Sequence, residues 1–307
     1  MMINLSEITD FLCNNNIVYK FHGNKNLIVQ HYCPISILKD HSMTWMRSLN
    51  EQDMEKIANH KNILLICNNF EYSQYQQINF LFVDNPHKVF FILLENFFTT
   101  PKNNASSFSS TSVVETRCIG EGISVGHHTY IAPNVKIGNN VQIGSNVTIE
   151  NNVCIGNHTV IESGVVIGAC GFGHYVDNNG KNVRVPHLGG VRIGKHVNIG
   201  ANTTIARGTL SDTIINDYVK IDNLCHIAHN VVINDNVLIA GGTVIGGSTI
   251  INEDVWLSSC KIANSLVIGA HSYIGGGSIV TKNIPENKFA VGYPARVVKN
   301  VDLEKSW

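Results

Sequence analysis

The chain has 307 residues, enough to bury a sizeable core in one long domain or two ordinary ones. Its formal net charge is −1 and only 15% of its residues are charged, so it lacks the basic stripe that a nucleic-acid or anionic-membrane binder needs. No apolar run reaches the roughly 18–20 residues that cross a bilayer, and "MMINLSEITDFL" is acidic where a secretory leader would be basic. Eight cysteines stand singly, with no CxxC spacing. They read as free thiols of a cytoplasmic protein, mostly buried as small apolar groups.

Residues 1–100 predict a small α/β domain. "SEITDFLCNN" sets Ile8, Phe11 and Leu12 on one helical face, with Ser6 as N-cap. "ILLIC" and "INFLFV" are apolar runs of strand length. "NEQDMEKIANH" offers Asn50 as an N-cap with Asp53 three residues on. "NPHKVFFILLENFF" places Asn85 and Pro86 at the N-cap and N1 of an apolar helix. Residues 101–112 are Ser- and Asn-rich and read as a linker.

From Val113 an apolar residue then recurs every sixth position: Ile119, Val125, Ile131, Ile137, Ile143, Ile149, Ile155, Ile161 and Ile167. The beat breaks at "GACGFGHYVDNNGKNVRVPHLGG" and resumes at Ile193. It breaks again at "ARGTLSDT" and restarts at Ile215, to slip by one residue between Leu257 and Ile262. Neither a 3.6-residue helix nor an alternating strand gives a period of six. Gly and Asn after the apolar position suit tight turns. The pattern is the hexapeptide signature of a parallel β-helix, three hexads to a triangular coil, and residues 113–284 hold about eight coils. Residues 285–307 remain as a short C-terminal tail. The beat also accounts for the glycines of "GEGISVG", and "GGVRIGK" lacks both the Ser/Thr and the following helix of a phosphate loop.

Two histidines, His226 and His229, sit in "IDNLCHIAHNVVI". In an unbroken stretch, residues 18 apart stack on adjacent coils, so Gly247 lies over His229. An imidazole beside accessible glycine backbone can serve as a general base next to an N–H that receives developing negative charge. Asp222 or Asn223 would orient the nucleophile. The plainer reading of a corner histidine is a solvated or locally bonded side chain. His226-x-x-His229 as half of a metal site is disfavoured, because side chains three apart lie on different parts of a coil. His127, His128, His158, His174, His187 and His196 read as surface or loop residues.

"GFGHYVDNNGKNVRVPHLGGVRIG", "IGANTTIARGTLSDTIIND" and "KIDNLCHIAHNVVI…IAGG" resemble the UDP-3-O-acylglucosamine N-acyltransferase family of lipid A synthesis. The resemblance implies a left-handed parallel β-helix, a homotrimer with active sites between subunits, and a role in lipopolysaccharide or other surface-glycan synthesis. It implies acyl transfer from a pantetheine thioester to the amine of a nucleotide-linked amino sugar, with no metal. The family's base falls on His229 and its oxyanion amide on Gly247. Asp222 and Asn223 match substrate-binding positions, with His226 beside them. Gly171, Phe172 and Gly173 border the acyl or pantetheine groove. Trp45 matches the aromatic that stacks on the base, while Ser48 and Glu51 replace the family's Asn and Tyr. Ala206 replaces an Asp, and "KIANSL" lacks the family's second histidine.

Three functions fit these residues. The altered base pocket and a "GYPAR" ending like that of acetyl-CoA-dependent hexapeptide enzymes favour an N-acyltransferase that uses acyl-CoA as co-substrate and acts on a nucleotide-linked amino-deoxysugar. The alternative is the lipid A enzyme's reaction, with 3-hydroxyacyl carrier protein as donor. A metal-dependent β-helix enzyme or a bare scaffold would leave the N-terminal domain without a purpose.

Overall fold

A computed structural model of the chain describes residues 2–48, 51–69, 75, 78–99 and 105–301. It divides into two compact units, Met1–Lys102 and Asn103–Trp307. In the first, a five-stranded mixed sheet carries its strands in the order 20–22, 79–82, 64–67, 42–45, 31–32. Alternation decides which residue meets which helix. Met43, Leu64, Ile66 and Leu81 pack with Ile8 and Leu12 of α1 (Leu5–Asn14) and with Val89 and Leu93 of α3 (Pro86–Phe98). Leu65, Cys67, Phe80 and Phe82 face the opposite way, onto Met54 and Ile57 of α2 (Glu51–Ala58). The caps correct one reading and match another. Helix α1 starts earlier than Ser6 suggested, with Asn4 as N-cap donating its backbone N–H to the Glu7 carboxylate at 2.7 Å. At α3 the Asn85 side chain accepts from the Lys88 N–H at 3.0 Å. Asn50 lies outside the described residues, and Asp53 pairs with Lys56.

The second unit is a parallel β-helix. Its short strands, most of two residues, stack into three ladders of eight, eleven and nine strands, slightly more than eight coils. Within an uninterrupted stretch, strands pair 18 residues apart, as in Tyr130 with Thr148 and Thr148 with Val166. From Ile119 on, the apolar residue of each hexad points inward, and Ile131, Ile149, Ile167, Ile205, Ile227 and Ile245 are all fully buried. At the first step Val114 rather than Val113 stands below Ile131 and packs on the core, and Val113 is exposed. The corners divide the labour between two residue types. Glycines such as Gly138 and Gly144 allow close approach, since a Cβ there would meet the next coil at 2.3 Å and 2.6 Å. Two residues on, Asn140 and Asn146 hold φ of 56° and 57°, a left-handed conformation that asparagine tolerates. Replacing Ile149 by Ala opens a cavity in the column between Ile131 and Ile167. We expect a loss of about 2–5 kcal/mol in urea unfolding. A loss below about 0.5 kcal/mol would show that the column does not carry the fold.

The ladders reach beyond the segment the hexads delimit. Ser107–Phe108, inside the stretch read as a linker, pairs in parallel with Ser124–Val125. Beyond the hexads, Lys288–Gly292 extends a ladder from Tyr273–Ile274 and turns back as an antiparallel hairpin with Ala295–Asn300, so much of the tail is sheet. Cysteine burial is uneven: Cys33, Cys67, Cys225 and Cys260 are buried, whereas Cys13, Cys118 and Cys170 are exposed. Burial pushes the Cys67 and Cys260 thiols up to about 12, leaving them unreactive. Among the described residues no helix is long and apolar enough to cross a membrane.

Candidate active site

His229 occupies the corner that follows the strand His226–Ile227, with its ring half-buried. Gly247 lies against that ring, as the coil spacing predicts: a Cβ at position 247 would come within 2.7 Å of Cε1 and 2.8 Å of Nε2. Gly171 closes in from another side, where a Cβ would meet His229 Cβ at 2.8 Å and Cδ2 at 2.9 Å. The imidazole is therefore packed between two stretches of glycine backbone.

Its protonation pattern follows from Asn230. The Asn230 Oδ1 accepts from the Thr209 N–H at 3.1 Å and lies 2.8 Å from the Thr209 hydroxyl. Its Nδ2 donates to the Ser211 carbonyl at 3.0 Å. A backbone N–H can only donate and a carbonyl can only accept, so these partners fix the amide orientation. Oδ1 is then the atom facing His229 Nδ1 at 3.0 Å, and Nδ1 must carry the proton. In the neutral ring this tautomer leaves the lone pair on Nε2, the atom a general base needs free.

Both breaks in the six-residue beat converge here. The second break supplies Thr209 and Ser211 to hold Asn230. The first supplies Gly171 and also His187, whose ring meets that of His229 edge-on at 5.4 Å between centroids. The two breaks are pinned together: Leu188 N–H donates to the Thr209 carbonyl at 2.7 Å, Arg207 reaches the Gly168 carbonyl at 2.6 Å, and Gly190 N–H donates to the Asp212 carboxylate at 2.6 Å. His187, read as a surface or loop residue, is in a loop but not at the surface. It is 5% exposed, its Nδ1 lies 3.0 Å from the Val185 carbonyl, and its buried Nε2 has no hydrogen-bond partner among the described residues. Sequence reasoning also passed over Asn230. Its signal was present in the two insertions, which a purely structural repeat does not need.

The other residues singled out from the sequence are placed as follows. Asp222 and Asn223 sit on the preceding corner of the same coil, where Asp222 accepts from Gly241 N–H at 3.1 Å and Asn223 accepts from Ala201 N–H at 2.6 Å. One protomer does not bring them to the His229 corner. His226 Nδ1 is 2.8 Å from the Thr204 hydroxyl, and partial burial pushes its pKa below the ordinary histidine value. Phe172 is 87% exposed and its ring meets His174 at 4.7 Å. The Gly247 N–H, assigned from the sequence to an oxyanion, is already engaged: it donates to Asn264 Oδ1 at 3.0 Å. In the first unit, Trp45 lines a cavity of about 350 Å³ with Tyr32, Thr44, Phe90 and Phe91, and its ring meets His87 edge-on at 4.8 Å. Ser48 and Glu51 are exposed.

The hexapeptide repeat and the parallel β-helix it builds are shared with known proteins. Residues 134–169 and 212–247 match the family described as bacterial transferase hexapeptide (six repeats). The chain is similar to the UDP-3-O-acylglucosamine N-acyltransferase of Delftia acidovorans, with 44% identity over 114 residues, 37% of this chain and 28% of the relative. The enzyme of that name from a Janthinobacterium is 36% identical over 45% of this chain and 39% of its own length. A probable mitochondrial member from Arabidopsis thaliana is 40% identical over 42% of each chain. The chain thus spans less than half the length of these relatives. Among solved structures, the UDP-N-acetylglucosamine acyltransferase of Campylobacter jejuni shares the fold, with TM-score 0.53, 22% identity, and coverage of 64% of this chain and 74% of that one. LpxA from Acinetobacter baumannii gives TM-score 0.52 at 22% identity, covering 64% and 73%.

Proposed function

We propose that the chain is an N-acyltransferase that moves an acyl group from a pantetheine thioester to the amine of a nucleotide-linked amino sugar, with His229 as general base. The observation that carries this reading is the convergence of both repeat interruptions on one imidazole whose Nδ1 is held as the donor, the tautomer that offers Nε2 as base. The neutral sugar amine attacks the thioester carbonyl, and Nε2 accepts its proton. The tetrahedral intermediate collapses as the C–N bond is kept and the C–S bond breaks, and the proton held on His229 passes to the departing thiolate. Base catalysis of this kind contributes roughly 10²–10⁴-fold.

The named relatives favour a UDP-linked 3-O-acylglucosamine over an amino-deoxysugar as the acceptor. The aromatic cavity at Trp45 suits the planar base, which would stack there. Asp222 and Asn223 would reach the substrate from a neighbouring copy of the chain in a trimer, since they stand on another corner of their own coil. Phe172 and its flanking glycines would border the acyl or pantetheine groove. A second reading, acyl-CoA with an amino-deoxysugar, draws on Ser48 and Glu51 near Trp45.

The test pairs each donor with each acceptor: 3-hydroxyacyl carrier protein or acyl-CoA, with UDP-3-O-acylglucosamine or a dTDP-amino-deoxysugar. We expect turnover with the UDP sugar, fastest with the carrier protein. Turnover confined to acyl-CoA and the deoxysugar would establish the second reading. No amide product from any pair would refute acyl transfer.

A further inference from the structure

We propose that the side-chain amide of Asn264 is the oxyanion donor of this site, in place of the Gly247 backbone N–H. The inference rests on the acyl-transfer reading above and assigns a catalytic group within it. The geometry begins with the slip in the repeat. Lys261 pairs with Val244, so the coil above Gly247 is one residue short. The short coil brings Asn264 over the Gly246–Gly247 peptide. A Cβ on Gly246 would lie 2.4 Å from Asn264 Oδ1, and Gly247 donates its N–H to that same oxygen at 3.0 Å. The place an oxyanion would take on Gly247 is therefore filled by a carbonyl oxygen, which repels negative charge.

The bond that occupies Gly247 also determines what Asn264 presents. A backbone N–H can donate only to the amide oxygen, so Oδ1 is turned toward Gly247 and Nδ2 is the group left outward. Asn264 is exposed, so Nδ2 is open to a bound thioester. Donation from Gly247 into Oδ1 polarises the amide and strengthens Nδ2 as a donor. Corner side chains bracket backbone N–H groups elsewhere in the column, as Asn157 does for Asn139 and Ser163 for Ser145. Asn264 differs in its place, because the Gly247 it brackets also carries the His229 ring against its backbone. Base and donor thus meet at one glycine. Side-chain amides are competent oxyanion donors, and losing one typically costs about 10²–10³-fold in kcat.

The experiment compares wild type, Asn264→Ala, Asn264→Ser and His229→Ala with one thioester and one amino-sugar nucleotide. Serine preserves the bracket, as Ser145 and Ser163 show at equivalent corners, but removes the amide donor. We expect kcat to fall about 10²-fold in Asn264→Ala and at least about tenfold in Asn264→Ser. Both KM values should stay within about threefold, with melting temperature and oligomer size unchanged in the serine variant. If the alanine variant does not fold, the serine variant decides. Either folded variant working within twofold of wild type would overturn the proposal and return the role to the Gly247 N–H. Failure of the underlying reading has a separate signature: a wild type that forms no amide, or one that His229→Ala matches.

Discussion

Replacing His229 by Ala is expected to lower kcat by about 10²–10⁴-fold while leaving the fold intact. The side chain sits on a corner outside the buried isoleucine column, so its loss opens no core cavity. What it removes is the atom to which Asn230, Thr209 and Ser211 are committed. Those bonds fix the Asn230 amide, and Asn230 in turn assigns the proton to Nδ1. KM for both substrates should change little, because the imidazole touches the reacting amine rather than the base or the pantetheine arm. Steady-state kinetics beside a melting curve checks both halves. A variant that keeps nearly full activity would remove His229 from the mechanism.

The Gly247→Ala substitution adds a single methyl group and is expected to cost about 10²-fold in kcat, in the range set by losing a positioned base. The new Cβ would stand 2.7 Å from His229 Cε1 and 2.8 Å from Nε2, well inside van der Waals contact. The ring is the mobile partner in that clash, so it swings away, breaks its 3.0 Å contact with Asn230 Oδ1 and carries Nε2 out of register. Gly247 is not at positive φ, so alanine adds no backbone strain there. The melting temperature should therefore hold while the activity falls. Activity within twofold of wild type would mean that the imidazole has room to work elsewhere.

The fold was legible because one physical rule writes it at every sixth position. Each inward Ile rests on the Ile 18 residues away, and the sequence records that demand without interruption across eight consecutive steps from Ile119 to Ile167. The same rule places Gly247 over His229, 18 residues on. Where the rule stops, so did the reading. Asn230 looked like another corner asparagine, as its φ of 60° suits, and nothing in the spacing showed that its amide also holds a histidine. His187 lay inside an irregular insertion with no period to place it, and only the folded chain shows it buried against His229. Asn264 depended on the one-residue slip, which the sequence shows but whose direction of displacement it does not. Asp222 and Asn223 could be placed on their corner, but not the corner they serve, because a second copy of the chain would supply that geometry.

The central claim is transfer to nitrogen at the His229 corner. The most direct measurement offers the purified chain one acyl thioester with UDP-3-O-acylglucosamine, whose amine is free, and in parallel with UDP-N-acetylglucosamine, whose amine is blocked, and weighs the products by mass spectrometry. The account predicts one added acyl group on the free-amine sugar, held as an amide that resists mild base, and none on the blocked one. Acylation of the blocked sugar, as a base-labile ester, would contradict it.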